Sequence, residues 1–563
     1  MILSISLLKK KVNMILNIDL FLKLIIRNYR TRNSLSFLKK VFLDKYSKVK
    51  KDQFKLLIST SLSGHIPCSS FECFLGVVLR RKSVNVEYLF ADDALPACMM
   101  CEFRQNKNLS QFLEENHTNN RCGSKNKFVE KSLKNLNFGI HQFKEYLSVI
   151  EIEFAKKTST EILLKDINKF CIRGIKLGEH AWSGTLRYFA KGTLDLNENN
   201  EKVLRRFFEA SILTMIAVEN LIKKHKFDCI LLHHGIYVPQ GVIVDVAKSY
   251  NIRIVTWHTA YRKNCFIFSH DDTYHKTMLD ENCSHWERIN LTPKKEHKIK
   301  NYLQTRWYGN NDWINFQNAK FFDKFSIENK IGINFSKPTI GMLTNVTWDA
   351  QLHFKNRAFK NMSEWILETI NFFKVNKHLQ LLIRIHPAEI TGTIPSNDKI
   401  LNIINKNYKV IPKNIFIITP ESNISTHSAM SNCNSVIIFG TKMGIELSSI
   451  GIPVIVAGEA WIKGKNIGFD ANNKEEYIKL LNELPFKNGL NHNQTIRSLK
   501  YAYHFFFRRM IPLPFVKAKK GWPPFKINFQ NFENEFKNDL GLKVIIDGIL
   551  HSRPFIYDKD KID

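Results

Sequence analysis

Ser435-Val-Ile-Ile-Phe-Gly440-Thr441-Lys442-Met-Gly444-Ile-Glu446, followed by Pro453-Val-Ile-Val-Ala457, is the stretch whose reading decides the fold. Ser435 to Phe439 has the length and β-branched content of a strand buried on both faces. Met443 to Ile450 has helical spacing, and Pro453 to Ala457 is a second buried run. Strand, helix and strand in so short a span predict a βαβ unit. In such a sheet, ligands bind in the crevice at the carboxyl ends of the strands. Gly440 lets the chain turn closely, and the backbone N–H groups near Thr441, Lys442 and Gly444 make a natural anion site. Glu446, in the first helical turn, either accepts hydrogen bonds from sugar or ribose hydroxyls or complements the helix dipole.

A second strand-to-turn unit lies upstream, in Leu381-Leu-Ile-Arg384-Ile-His386-Pro387-Ala-Glu389. Proline cannot continue a ladder and holds the residue before it extended, so the strand stops at His386 with its imidazole at the edge. There it can donate to a phosphate oxygen. Arg384 on the same strand and Glu389 within one turn join it as candidate binding residues.

Asn345-Val-Thr-Trp348-Asp349, Arg384-Ile-His386-Pro387-Ala-Glu389, Thr441-Lys442-Met-Gly444-Ile-Glu446 and Gly451-Ile-Pro453 through Trp461 together resemble the bacterial capsular polysaccharide biosynthesis family. The resemblance covers roughly residues 55 to 555 and is most specific from Leu381 to Trp461. It implies a glycosyltransferase of the GT-B type, in which two Rossmann-like domains face a central cleft. It also implies a nucleotide-sugar donor, CMP-linked in some members, with the His-Pro pair and a Ser/Thr-rich helix start holding its nucleotide and phosphate. This chain keeps His-Pro but carries Gly-Thr-Lys at the second position, so the donor stays open.

The N-terminal half predicts the other wall. Phe54 to Ser59 and Val84 to Phe90 read as its first strands, and Phe227 to His233 and Ile252 to His258 as later ones. Parallel neighbours would bring His234 and His258 out at one sheet edge. The next segment, Tyr261-Arg262-Lys263 and then Ser269-His270-Asp271-Asp272-Thr273-Tyr274-His275, is similar to the loop that ends the family's N-domain. It offers cations in Arg262 and His270, and acids. A base that deprotonates the acceptor hydroxyl must lie within hydrogen-bond reach of it. The candidates, in order, are Asp272, His234, Glu72 and Asp93.

The predicted organisation is a basic amphipathic extension (1–50), an acceptor domain with helical insertions (51–335), a donor domain (336–515) and a tail that packs back on the core (516–563). At about 100 to 200 residues per domain, 563 residues accommodate two large domains. The chain has 83 basic against 52 acidic residues, a formal charge of +31. That surplus draws it to anionic surfaces. No nucleic-acid-binding signature accompanies it, so no specific nucleic-acid partner is expected. Leu7 to Val12, Leu20 to Arg27 and Leu35 to Leu43 mix Leu, Ile and Phe with Lys and Arg as an interfacial helix does.

These features predict a cytoplasmic protein, peripheral on the inner face of the cytoplasmic membrane; the family resemblance implies a glycan or lipid-linked glycan acceptor and capsule export machinery as partners. No apolar run of about 18 residues predicts a membrane span, and no clean cleavage site predicts a secretion signal. Ten scattered cysteines fit a reducing compartment. His258, His270 and His275, like Cys98-x-x-Cys101 with Cys122, lack the paired spacing of a zinc site. Neither metal nor cofactor is expected, because cationic side chains can neutralise a leaving phosphate. A nucleotide-sugar 2-epimerase of the same architecture and a non-catalytic assembly protein are the alternatives.

Overall fold

The computed structural model describes residues 26, 28–40, 53–62, 64–102, 109–114, 123–307, 312–313, 321–349, 357–519, 523–529, 536 and 538–558. Its first sheet is built from β1 (Lys55–Thr60), β2 (Asn85–Phe90), β3 (Gly139–Gln142), β4 (Cys229–His233), β5 (Arg253–Thr259) and β6 (Cys265–His270). The second is built from β7 (Thr339–Leu343), β8 (Gln380–Arg384), β9 (Ile415–Ile418), β10 (Ser435–Ile438), β11 (Val454–Val456) and β12 (Phe469–Asp470). Later in the chain come β13 (Ile511–Pro512) and the hairpin β14 (Val516–Ala518) and β15 (Phe525–Ile527).

The second sheet runs β12-β11-β10-β7-β8-β9 with every pairing parallel. Renumbered within its domain this is 3-2-1-4-5-6, the dinucleotide-fold order, with the switch point between β7 and β10. The first sheet runs β13-β6-β5-β4-β1-β2-β3. Its β3-β2-β1-β4-β5 part is parallel in the same order, with the switch point between β1 and β4. The protein is therefore an α/β molecule of two Rossmann-like domains facing a cleft.

Burial explains why these runs are strands. Every residue of β4, β7, β8, β10 and β11 is buried, as continuous apolar runs covered by helices on both faces must be. Gly444 shows how tightly the second domain closes. A Cβ there would come 2.8 Å from Ile438 Cδ1 on β10 and 2.9 Å from Ile462 Cδ1, so the helix Met443–Ser448 lies against its strand only because that position has no side chain.

The C-terminal segment belongs to the first domain. Ile511–Pro512 already pairs antiparallel with β6, ahead of the 515 boundary drawn from sequence. Leu513, Phe515, Phe525, Ile527, Leu542, Ile545, Ile549 and Phe555 share one core with Leu56, Phe71 and Phe266. Leu35 and Phe37 are buried in that same core, where Phe37 meets Phe74 and Phe529 edge-on or tilted. The third apolar-basic segment expected to lie on a membrane thus spends these side chains on the domain interior. The first such segment, and Leu20 to Ile25 of the second, fall outside the described residues. Among those described, no helix is long and apolar enough to cross a membrane.

Candidate functional site

A cavity of about 240 Å³ opens between the carboxyl edges of the two sheets. Tyr261 and His275 line it from the first domain. From the second come Asn345, Asp349 and Arg357 beyond β7, His386 beyond β8, Gly440, Thr441 and Lys442 beyond β10, and Glu459 and Trp461 beyond β11. Four consecutive strand ends of one sheet thus converge on one space. Asn345 Nδ2 donates to the Gly440 carbonyl and ties the β7 and β10 turns together across the switch point.

His386 owes its state to the turn that follows it. The Ala388 N–H donates to its Nδ1 at 3.0 Å, and its own N–H donates to Thr344 Oγ1 at 3.1 Å. Burial, with Lys442 and Arg384 nearby, lowers its pKa to about 3. A neutral ring whose Nδ1 accepts carries its proton on Nε2. His386 therefore acts as a fixed hydrogen-bond donor and not as a cation.

Lys442 supplies the charge. Its Nζ sits 4.9 Å from the Tyr261 ring centroid, a cation–π contact that bridges the domains. Burial first, then Arg306, lowers its pKa to about 8, against the pull of Glu446 and Asp312. Arg357, also in the wall, is lowered by burial and partly restored by Glu459.

Asp349 is the acid in contact with both domains. The side chain is open to solvent, and desolvation by the groups crowded around it raises its pKa, opposed by Arg187 and by the Tyr237 hydroxyl, which donates to Oδ1 at 3.3 Å. Tyr237 (φ 62°) stands two residues beyond the turn of His234 (φ 67°) and Gly235 (φ 82°) that ends β4. Such left-handed backbone recurs where a turn must present a side chain.

Aromatic rings carry the first domain's edge into the cavity. His65, which caps the helix Ile66–Arg81 through Nδ1, stacks on His233 at 5.6 Å, and His233 on His258 at 4.9 Å. His234 lies 5.2 Å from His258, so both emerge at the same carboxyl edge of the first sheet. Tyr274 follows at 5.5 Å from His258, then His275 at 4.1 Å from Tyr274, and Trp461 of the second domain stacks on His275 at 5.4 Å. Burial holds His65, His233, His258 and His275 neutral, with His65 lowered to about 4 and His275 to about 3. Neither His234 nor His258 lines the cavity itself.

Of the sequence-derived candidates, His386, Thr441 and Lys442 line the cavity and the others do not. His270 stands at the opposite edge of the first sheet because β6 is antiparallel. It pairs with Val255 near the start of β5, bonds the Arg553 carbonyl at 2.8 Å and stacks on Phe555. Asp272 accepts from its own helix start and pairs with Lys248 at 3.3 Å. Glu72 is 1 % exposed, accepts from Trp257 Nε1 at 3.1 Å, and is pushed up to about 8 by burial. Asp93 is exposed at the surface.

Arg262 donates to the Phe506 carbonyl and lies 4.4 Å over the Phe507 ring. Arg384 donates to the Thr419 and Ser422 carbonyls and shapes the loop after β9. Glu389 accepts from the Ile400 N–H at 3.0 Å. Glu446 is ion-paired with Arg306 at 3.0 Å and bonded to His427 at 2.7 Å, so its two oxygens serve an internal network below Lys442. Gly444 is a packing position.

Sequence reasoning missed Asp349, Arg357, Glu459, Tyr261, His275 and Trp461 as site residues. Asp349, Glu459 and Trp461 stand in the segments that carry the family resemblance, in the loops that follow β7 and β11. That was the available signal.

No family profile matches the sequence, and no curated protein matches it. Solved structures similar to the chain include the KpsC β-Kdo 2,4-transferase of Thermosulfurimonas dismutans, at 12 % identity over 50 % of this chain and 82 % of that one, with a TM-score of 0.34. The UDP-GlcNAc 2-epimerase of Neisseria meningitidis bound to UDP-GlcNAc is similar at 9 % identity over 80 % of this chain and 96 % of that one, with a TM-score of 0.24. The UDP-GlcNAc 2-epimerase of Methanocaldococcus jannaschii in complex with UDP-GlcNAc and UDP is similar at 11 % identity, over 80 % and 99 %, with a TM-score of 0.24.

Proposed function

We propose that this protein is a glycosyltransferase that moves a sugar from a nucleotide-activated donor to a growing surface glycan. The observation that carries the reading is the pairing, in one interdomain cavity, of a cation at the β10 end with a neutral imidazole donor at the β8 end. Glycosyl transfer leaves negative charge on the departing nucleotide. Lys442 meets that charge, the His386 Nε2–H bonds a phosphate oxygen, and the Thr441 hydroxyl adds a donor. No metal is required for that step. Trp461, Tyr261 and His275 offer ring faces against which a sugar or base stacks. Asp349, open to solvent at the cavity and held against the first domain by Tyr237, is the acceptor base in this reading.

The epimerase remains the second reading, on one observation. Both cavity carboxylates, Asp349 and Glu459, come from the second domain, whereas the expected first-domain acids stand elsewhere. A proton-moving enzyme acting on the donor sugar alone needs no acceptor base opposite.

The test is thermal shift of the full chain with CMP, UDP and GDP. One nucleotide raises the melting temperature of wild type, and Lys442→Ala and His386→Ala lose the shift. No shift with any nucleotide overturns the reading in favour of an assembly protein. Incubating the matching nucleotide sugar in deuterium oxide without acceptor separates the two enzymes, because deuterium entering the sugar ring establishes epimerisation. The membrane surface belongs to the same proposal and rests on the +31 charge; the export machinery rests on the family resemblance.

A further inference from the structure

On the β3 side of the first sheet, three side chains from three elements converge. Glu87 on β2 and His141 on β3 sit on one face of a parallel pair, with Glu87 opposite Gly139 and Leu89 opposite His141 in register. His225 ends the helix Glu198–His225. His141 Nε2 lies 2.7 Å from Glu87 Oε2, and His225 Nδ1 lies 3.8 Å from the same oxygen. One ligand atom from each of the three residues falls within 4.8 Å of the others. Two donors bound to one tetrahedral zinc at its usual bond lengths stand about 3.4 Å apart, so the observed spacings bracket that value.

The surroundings are those of a built site. Position 139 is glycine, and a Cβ there would come 2.8 Å from Glu87 Cγ, so its absence leaves the path along which the carboxylate leans toward His141. The two remaining ring nitrogens, His141 Nδ1 and His225 Nε2, both reach the hydroxyl of Tyr146, at 2.7 and 2.9 Å. One phenol oxygen thus braces both rings from behind. In a metal site it accepts both N–H groups, which fixes the tautomers that leave Nε2 of His141 and Nδ1 of His225 as ligands. In a purely hydrogen-bonded cluster the His225 Nδ1 lone pair instead faces the Glu87 carboxylate.

Lys55 Nζ holds the other carboxylate oxygen, Oε1, at 3.0 Å and leaves Oε2 to the histidines. Phe227 stacks beside His225 and closes the apolar side.

We propose that Glu87, His141 and His225 form a binding site for a divalent transition-metal cation, with zinc as the ion that two imidazoles and one carboxylate suit and water in the fourth position. The site lies apart from the cleft residues and does not rest on the sugar-transfer reading. Its role is structural, fastening the end of a 28-residue helix to the β2–β3 edge.

The test strips the full-length protein of metal with a chelator and titrates zinc against a chromophoric competitor. Wild type takes up one tight equivalent and gains several degrees in melting temperature. Glu87→Gln and His141→Ala each weaken that equivalent at least tenfold, and Tyr146→Phe weakens it by about ten- to a hundredfold. His378→Ala, at an exposed histidine elsewhere, leaves it intact. Circular dichroism of the metal-free variants checks folding, and should His141→Ala fail it, Glu87→Gln and His225→Gln carry the comparison. The visible spectrum of the cobalt-loaded protein reports the coordination geometry. Zinc uptake that is equal in wild type and Glu87→Gln, or no tight equivalent in wild type, overturns the proposal.

Discussion

Lys442 and His386 divide one task by their protonation. With its pKa lowered to about 8, Lys442 is charged below that pH and neutral above it. Nucleotide affinity is therefore expected to be full near pH 7 and to fall as pH rises through about 8. Lys442→Arg, which stays cationic, flattens the profile. Loss of the charge in Lys442→Ala weakens binding by roughly ten- to a hundredfold, the size of a charge-assisted hydrogen bond; calorimetry across pH 6.5 to 9 reads both. His386 is neutral throughout this range and adds no slope of its own.

Glu72 affects stability instead. Its folded pKa of about 8, against 4.5 for the free side chain, means that the fold prefers the protonated acid. That preference favours the fold below pH 4.5 and is lost as pH rises to about 8. Glu72→Gln removes the loss and stabilises the protein at pH 8 by on the order of 2–4 kcal/mol. Denaturant titration at pH 5 and pH 8 measures it, and an equal effect at both pH values would refute the assignment.

At the scale of elements, the cavity wall depends on how closely the ends of β10 and β11 approach. The Ala457 N–H donates to the Ile438 carbonyl at 2.9 Å, and a Cβ at Gly458 would run into the Phe439 carbonyl oxygen. Backbone cannot swing aside as a side-chain tip can. Gly458→Ala is expected to cost about 1–3 kcal/mol. It also weakens nucleotide binding, because Phe439 and Glu459 both line the cavity. An unchanged urea midpoint would show that the strand ends have slack. The strand-helix-strand units were legible from periodicity. The direction of β6 lay in the link and not in the apolar pattern: five residues, 260–264, are too few for a parallel crossover, so the chain returns antiparallel. The reversal carried His270 to the far edge.

For the whole molecule, the decisive feature is that the chain crosses to the second domain and comes back. Ile511–Pro512 extends the first sheet, and the helix Leu540–His551 with Phe555 fills its core. Truncation after Met510 uncovers Phe71, Phe74 and Phe266, so the shortened chain is expected to bind a hydrophobic dye and lose its cooperative thermal transition. A truncated protein that melts like wild type would place this segment outside the folding unit. The net charge makes a second expectation at this scale. Cosedimentation with vesicles rich in anionic lipid should fall steeply between 50 and 500 mM salt, since screening shortens the reach of surface charges. Binding that ignores salt would assign it to apolar insertion.

By itself the sequence determined the local units: which runs are strands, where they stop, and that His386 and Thr441-Lys442 stand at strand ends of one sheet. Apolar period, β-branching and a proline or glycine stop act within a few residues, so one chain suffices to read them. The tertiary structure decided which charged groups face the cavity. Arg384, Glu389 and Glu446 have the spacing and chemistry of ligand-binding groups, yet neighbours distant in sequence absorb them: the loop at 419–422, the N–H of Ile400, and Arg306 with His427. A buried ionic or polar group must find a partner, and no periodicity reveals whether that partner is a ligand or the protein itself. Asp349 stood in a segment of family resemblance, but its meeting with Tyr237 across 112 residues of chain exists only in the tertiary structure.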